Sequence, residues 1–280
     1  MQRERVSEDV YVFISDLYAQ VTASAIITSA GVVLFDTLAY PEETLQMKRF
    51  LEVRLGQEVR YVVNSHFHAD HTLGTCLFPD ATVVSHRLCR DLLDRRGRQG
   101  LQHTKRASDE LREIELVLPQ LVFDSGSLML YVGDKTLRLW HTPGHSPDSI
   151  VCLVEEDRIL LAADTLMPVP YFVDGSYDDF LDSLQRLQRE RFENVVQGHG
   201  EVILRGEIDQ KLKSDIAYLK CLRQMVDAAI NSQDQNTALD AIDIEACGKS
   251  RIQLNGMVEQ LHRQNVRALA NQRRELLQQM

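Results

Sequence analysis

The sequence predicts a mixed α/β (α+β) chain with a helical C-terminal extension, and three observations carry that expectation. Short β-branched and apolar runs bounded by turn residues recur from Val10 to Val196. Histidines and aspartates stand directly after several of those runs, most densely in His66-Phe67-His68-Ala69-Asp70-His71. From Gly206 the pattern changes to apolar residues every three or four positions, the period of an amphipathic helix. A catalytic unit over residues 1–205 follows, with a helical extension over 206–280 packed on it or at a homodimer interface.

Taken in order, Val10–Ile14, Thr22–Thr28 and Gly31–Phe35 read as the first strands. Asp36 closes the third, where a carboxylate can support a site. Pro41-Glu42-Glu43 is a helix start, and that helix should reach about Leu55. Tyr61-Val62-Val63 is the strand that delivers the histidine cluster. A short helix, a strand over Ala81–Val84 and a helix from His86 to about Asp94 come next. The basic patch between Arg95 and Arg106 reads as a solvated loop with a helix behind it, with a substrate-facing insertion as the alternative, and His103 within it as a surface histidine.

The strand signal returns at Leu121–Phe123, Leu128–Val132, Thr136–Trp140, Ile150–Val154 and Ile159–Leu161, with Gly133-Asp134 as a tight turn. Asn194-Val195-Val196 is a last short run. In the tail, Ile208, Leu212, Ile216, Leu219, Leu222, Val226 and Ile230 mark one long helix, and Asn231 to Asn236 a polar loop. Leu254, Met257, Val258, Leu261 and Leu269 mark a second helix, on which His262 reads as a surface residue.

Composition narrows the function. The 280 residues are 44% hydrophobic and 26% charged, ordinary for a globular protein. The balance of 31 − 41 = −10 argues against a general nucleic-acid binder, which needs a basic face. A small-molecule substrate remains, and an anionic one is not excluded, because bound metals supply local positive charge. Five scattered cysteines without a C-x-x-C pair suggest neither a zinc ribbon nor a disulfide framework, and free thiols fit a reducing compartment. With a charged N-terminal stretch and no apolar run long enough to cross a bilayer, the expectation is a cytoplasmic protein without a membrane partner.

Four strand ends carry the chemistry: His66, His68, Asp70 and His71; then His145 in Thr142-Pro143-Gly144-His145; then Asp164; then His199 between two glycines. Each residue alone could be structural, since a buried aspartate often caps a loop and Gly-His-Gly can be only a turn. Together they are seven nitrogen and oxygen ligands, enough for two divalent metals with room for water. Alternate residues of an extended segment project to one side, so His66 and His68 suit one metal, and Asp70 and His71 project towards another.

These motifs, His66-Phe67-His68-Ala69-Asp70-His71, Thr142-Pro143-Gly144-His145, Asp164 and Gly198-His199-Gly200, resemble the metallo-β-lactamase-fold hydrolase superfamily. The resemblance is ordered and spans Val10 to about Leu204. It implies an αββα sandwich with a site at one edge. It also implies His66, His68 and His145 on a first metal, Asp70, His71 and His199 on a second, and Asp164 bridging. The metals so implied are two divalent ions, Zn²⁺ foremost, with Fe or Mn as alternatives.

Two such ions would share a water, lower its pKa and produce a hydroxide that attacks an ester, thioester or lactone, with Asp70 as ligand and proton acceptor. No Gly-x-Ser-x-Gly elbow is present, which disfavours a serine hydrolase. Within the superfamily, Asp164 counts against a true β-lactamase. The segment after it lacks the glutathione-binding signature of glyoxalase II, and Met167 stands where homoserine-lactone lactonases have tyrosine. The alternatives are a mononuclear iron enzyme resembling persulfide dioxygenases and a phosphodiesterase of the same fold. The stretch Met167 to Phe172, stiffened by two prolines, is expected either to line an apolar substrate pocket or to pack against the C-terminal helices.

Overall fold

The computed structural model describes residues 1–279, and in it two β-sheets lie face to face with helices on both outer sides. The first sheet holds β1 (Gln2–Arg5), β2 (Val10–Ile14), β3 (Thr22–Thr28), β4 (Gly31–Phe35), β5 (Val59–Val63), β6 (Thr82–His86) and β7 (Leu121–Phe123), in that spatial order. The second holds β8 (Ser127–Val132), β9 (Lys135–His141), β10 (Ile150–Val154), β11 (Ile159–Ala163), β12 (Asn194–Gln197) and β13 (Val202–Leu204), in the order β13-β12-β11-β10-β9-β8.

Both sheets are buried on two faces, so their strands read as apolar runs rather than as alternations. Along β4, Val33 and Phe35 point between the sheets, and Val32 and Leu34 point outward. Along β10, Cys152 and Val154 face the inner core, and Val151 and Leu153 the outer one. This is the period-2 alternation of a strand. Helix α1 (Pro41–Arg49) covers the outer face of the first sheet through Met47, and a π-helical turn at Phe50–Arg54 continues it to the predicted end.

The outer face of the second sheet is covered by α5 (Tyr177–Leu187), α6 (Arg205–Ile230) and α8 (Met257–Gln279). All seven apolar positions predicted for the long helix, Ile208 to Ile230, are buried in that core. The layers are therefore αββα with C-terminal helices. No helix among the described residues is long and apolar enough to cross a membrane.

Four local expectations need correction. The basic segment is helical, not a loop: after α3 (Arg87–Leu92), a π-helical turn at Leu93–Gly97 runs into α4 (Arg98–Ala107), on which His103 is exposed as expected. Helix α7 (Gln235–Asp240) begins inside the predicted polar loop, because the Asp234 carboxylate caps it by accepting from the Thr237 N–H. Leu254 precedes the second tail helix instead of starting it; Leu254 and Asn255 both have positive φ, which breaks the helix before Met257. His262 is 1% exposed, its Nδ1 paired with the Tyr218 hydroxyl and its Nε2 with the Ile242 carbonyl. A histidine on the buried stripe escapes an apolar-only reading of the pattern.

Candidate metal centre

Strands β9, β11 and β12 run in one direction within the second sheet, so their C-terminal ends share an edge. The chain leaving β5 joins that edge, where the Ile150 N–H donates to the Ser65 carbonyl at 2.9 Å. All seven predicted residues meet there. His66 follows β5, Asp70 and His71 lie on the short helix α2 (Ala69–Thr72), His145 follows β9, Asp164 follows β11, and His199 follows β12. One oxygen, nitrogen or carboxylate atom from each of His66, His68, His145 and Asp164 falls in a first cluster, and from each of Asp70, His71 and His199 in a second.

The distances fix the arrangement. His66 Nε2 and His145 Nε2 lie 3.0 and 2.9 Å from His68 Nδ1. Asp164 stands between the clusters, with Oδ2 3.2 Å from His145 Nε2 and Oδ1 3.2 Å from His71 Nε2. Asp70 Oδ2 is 3.5 Å from His199 Nε2 and 3.8 Å from His71 Nε2.

Each histidine has its other nitrogen engaged by an acceptor. His145 Nδ1 donates to the Tyr171 carbonyl at 2.7 Å and His199 Nδ1 to the Ala19 carbonyl at 2.9 Å. His71 Nδ1 donates to Asp36 Oδ2 at 3.0 Å, and His68 Nε2 to Asp174 Oδ2 at 3.1 Å. Ser65 Oγ spends its proton on Asp36 at 2.6 Å and so accepts from His66 Nδ1 at 2.9 Å. Outer partners of this kind set the tautomer and aim the inner nitrogen. Asp36 thus supports the site as expected, from the end of β4.

The electrostatics call for positive charge at the centre. Burial pushes the His66 imidazole well down and His145 down to about 4, so both present bare nitrogens. Burial would lower His71 and His199 as well, but the Asp164 and Asp70 carboxylates outweigh it and raise both. Burial likewise pushes Asp164 up, and His199, His71 and His145 overcome it and hold the carboxyl well below its usual range. His71 Nε2 and Asp164 Oδ1 are both buried without a hydrogen-bond partner. Bare imidazole nitrogens converging with carboxylates suit a divalent cation such as zinc, and the residues present fit one in each cluster.

A cavity of about 450 Å³ opens over these residues. Met167 and Tyr171 line it, whereas Phe172 is fully buried among the C-terminal helices. The stretch after Asp164 therefore divides between the two expected roles. Three further residues at the site carry no motif. Tyr18 lines the cavity, its phenol pushed up to about 12 by the Asp70 carboxylate, burial and Asp164, so it stays a donor. Asp174 accepts from His68 with one oxygen and from Arg96 with the other at 2.8 Å, and the Arg96 guanidinium lies over the Phe67 ring. Hydrogen bonds from His68 and Arg96 hold the Asp174 carboxyl well below its usual range. The only hint of Arg96 in the sequence was the basic patch itself.

Comparison with known proteins agrees with this geometry. A family model described as "Metallo-beta-lactamase superfamily" matches residues 18–207. The "Atrochrysone carboxyl ACP thioesterase" of Passalora fulva is 28% identical over 155 residues, covering 53% of this chain and 38% of that protein. The "Beta-lactamase-like protein 2 homolog" of Caenorhabditis elegans is 24% identical over 175 residues, covering 60% of this chain and 54% of its own length. The chain spans about half the length of the curated relatives it matches. A solved metallo-beta-lactamase from Pontibacter korlensis superposes with a TM-score of 0.64 at 20% identity, covering 78% of this chain and 98% of that one, a likeness of fold.

Proposed function

The chain belongs to the metallo-β-lactamase superfamily, and on that premise we propose that it is a dinuclear metal-dependent hydrolase of an ester, thioester or lactone. One observation carries the reading: inner imidazole nitrogens and two carboxylates converge while acceptors occupy every outer nitrogen. His66, His68 and His145 would hold one ion and Asp70, His71 and His199 the other. Asp164 would serve both, because its Oδ2 lies near His145 of one cluster and His199 of the other while its Oδ1 faces His71. Relatives named as thioesterases support an acyl thioester among the substrates.

Bound divalent ions would supply Lewis acidity and bring a water towards ionisation near neutral pH. The chain's own groups do the rest. Asp70, partly open to the cavity, accepts the proton of the attacking water. Tyr18 offers a phenolic donor to an oxygen that gains charge. The outer acceptors keep each imidazole in one orientation throughout.

Elemental analysis of protein purified without chelator should return two metals per chain, zinc foremost. A single iron per chain, unchanged by zinc supplementation, would move the reading to the mononuclear oxygenase alternative. Asp174→Ala should weaken retention of the first ion about tenfold or more, read by chelator competition, because His68 loses the partner that fixes its tautomer. Unchanged retention would mean that the packing of His68 alone orients the ring.

A further inference from the structure

We propose that the substrate carries a neutral, largely apolar acyl group and that one face of α8 selects it. The inference rests on the hydrolase reading and adds the chemical class to it. Met257, Gln260, Leu261 and Gln264 wall the cavity on the side of the C-terminal helices, and Leu254 joins them from just before the helix. The four helix positions fall at i, i+3, i+4 and i+7, a single stripe. The stripe borders the buried one: Val258, Val266 and Leu269 face the core, and Leu254 and Leu261 touch both that core and the cavity.

The chemistry of the stripe is specific. Met257 is a large apolar side chain left 38% exposed at the cavity, and Leu261 is partly buried beside it. With Met167 on the same cavity lining, they offer methyl and thioether surface from which an acyl chain would displace water. Gln260 and Gln264 add neutral amides that can bond a carbonyl or hydroxyl of the substrate. Among the described residues no Lys or Arg lines the cavity, and Asp174 on its wall is already paired with Arg96 and His68, so no cationic side chain there is free to receive an anionic acyl arm.

The stripe is also held in register with the reacting centre. Asn265, fully buried, donates to the Pro170 carbonyl at 2.6 Å and accepts from the Phe172 N–H at 3.1 Å. The Tyr171 hydroxyl donates to Gln264 Oε1 at 2.8 Å. Between those anchors, the Tyr171 carbonyl is the acceptor for His145. One three-residue stretch thus fixes both a metal-centre histidine and the helix that walls the pocket. A site that discriminates needs its recognising groups fixed relative to the reacting atoms.

Hydroxamates test the inference without turnover, because they bind divalent metals and can carry different tails. Calorimetry on the zinc-loaded full chain should find octanohydroxamate bound about tenfold or more tighter than acetohydroxamate, from burial of its methylenes. In Leu261→Ser and in Met257→Ser that advantage should fall to about threefold or less at unchanged metal content. A tail ending in a carboxylate should bind more weakly than the methyl-ended tail of equal length. Equal affinity of the two hydroxamates for wild type, an advantage undiminished in both variants, or a preference for the anionic tail would overturn the inference. Parallel assays with p-nitrophenyl acetate and octanoate separate the two claims. Tail discrimination without hydrolysis of either ester would sink the hydrolase reading and leave the pocket standing. Hydrolysis of both at equal kcat/KM would sink the pocket and leave the hydrolase.

Discussion

Asp70→Asn protein, measured at verified full metal occupancy, is expected to turn over about a hundredfold more slowly than wild type, or worse. Exposure singles out Asp70 from the other carboxylate of the centre: both line the cavity, but the Asp70 side chain is 19% exposed, against 4% for Asp164. Like Asp164 Oδ2, its Oδ2 lies 3.5 Å from His199 Nε2, so it can hold an ion, and its exposure lets it still reach a water on the open side. Asparagine keeps the size and one coordinating oxygen but removes the charge and the basicity. The readout is kcat at saturating substrate, with metal content measured on the same sample. Near wild-type turnover in the loaded variant would reduce Asp70 to a ligand and remove it from proton transfer.

Gly198→Ala should empty the centre and destabilise the fold together. A Cβ at this position would stand 1.9 Å from Asp164 Oδ1 and 2.6 Å from the Ala163 carbonyl carbon. The backbone cannot easily withdraw. Gly198 N–H donates to the Ala163 carbonyl at 2.7 Å, and its own carbonyl accepts from Thr22 N–H at 2.8 Å, which ties the two sheets together. Overpacking of this kind costs about 1–3 kcal/mol where neighbours can shift, and more where backbone stands in the way. The carboxylate that must shift is the one facing both clusters, so both ions should be lost, by elemental analysis, while Tm falls by several degrees or more, on the order of 5 °C. Gly206→Ala is the control: nothing lies within 4 Å of its Cβ, and it sits at the start of α6, where alanine is the better helix former. Two metals and a wild-type Tm in Gly198→Ala would mean that the β11–β12 edge yields more than its hydrogen bonds suggest.

Much of this was legible in the chain because its causes are local. A β-branched run forms a strand whichever sheet receives it, and imidazole and carboxylate bind metals wherever they are gathered. The seven residues at the strand ends could therefore be named before any of them was known to touch another. Asp36 was readable as support because it ends a strand. The long helix of the tail was readable because seven apolar residues recur along it at helical spacing. His262 was not, because it sits on a buried stripe and satisfies itself through Tyr218 and Ile242, partners that periodicity does not reveal.

By itself, then, the sequence determined the ligand types, the strands that deliver them and the helical character of the tail, since short-range pattern encodes each of these. The tertiary structure decided which acceptor fixes each imidazole, that Phe172 is core while Met167 and Tyr171 face the cavity, and that α8 rather than the basic segment walls it. The physical reason is distance along the chain. His68 meets Asp174 across 106 residues, Phe172 meets Asn265 across 93, and His199 meets Ala19 across 180. Contacts of that range depend on how two sheets and three helices pack, and no local period in the sequence records them.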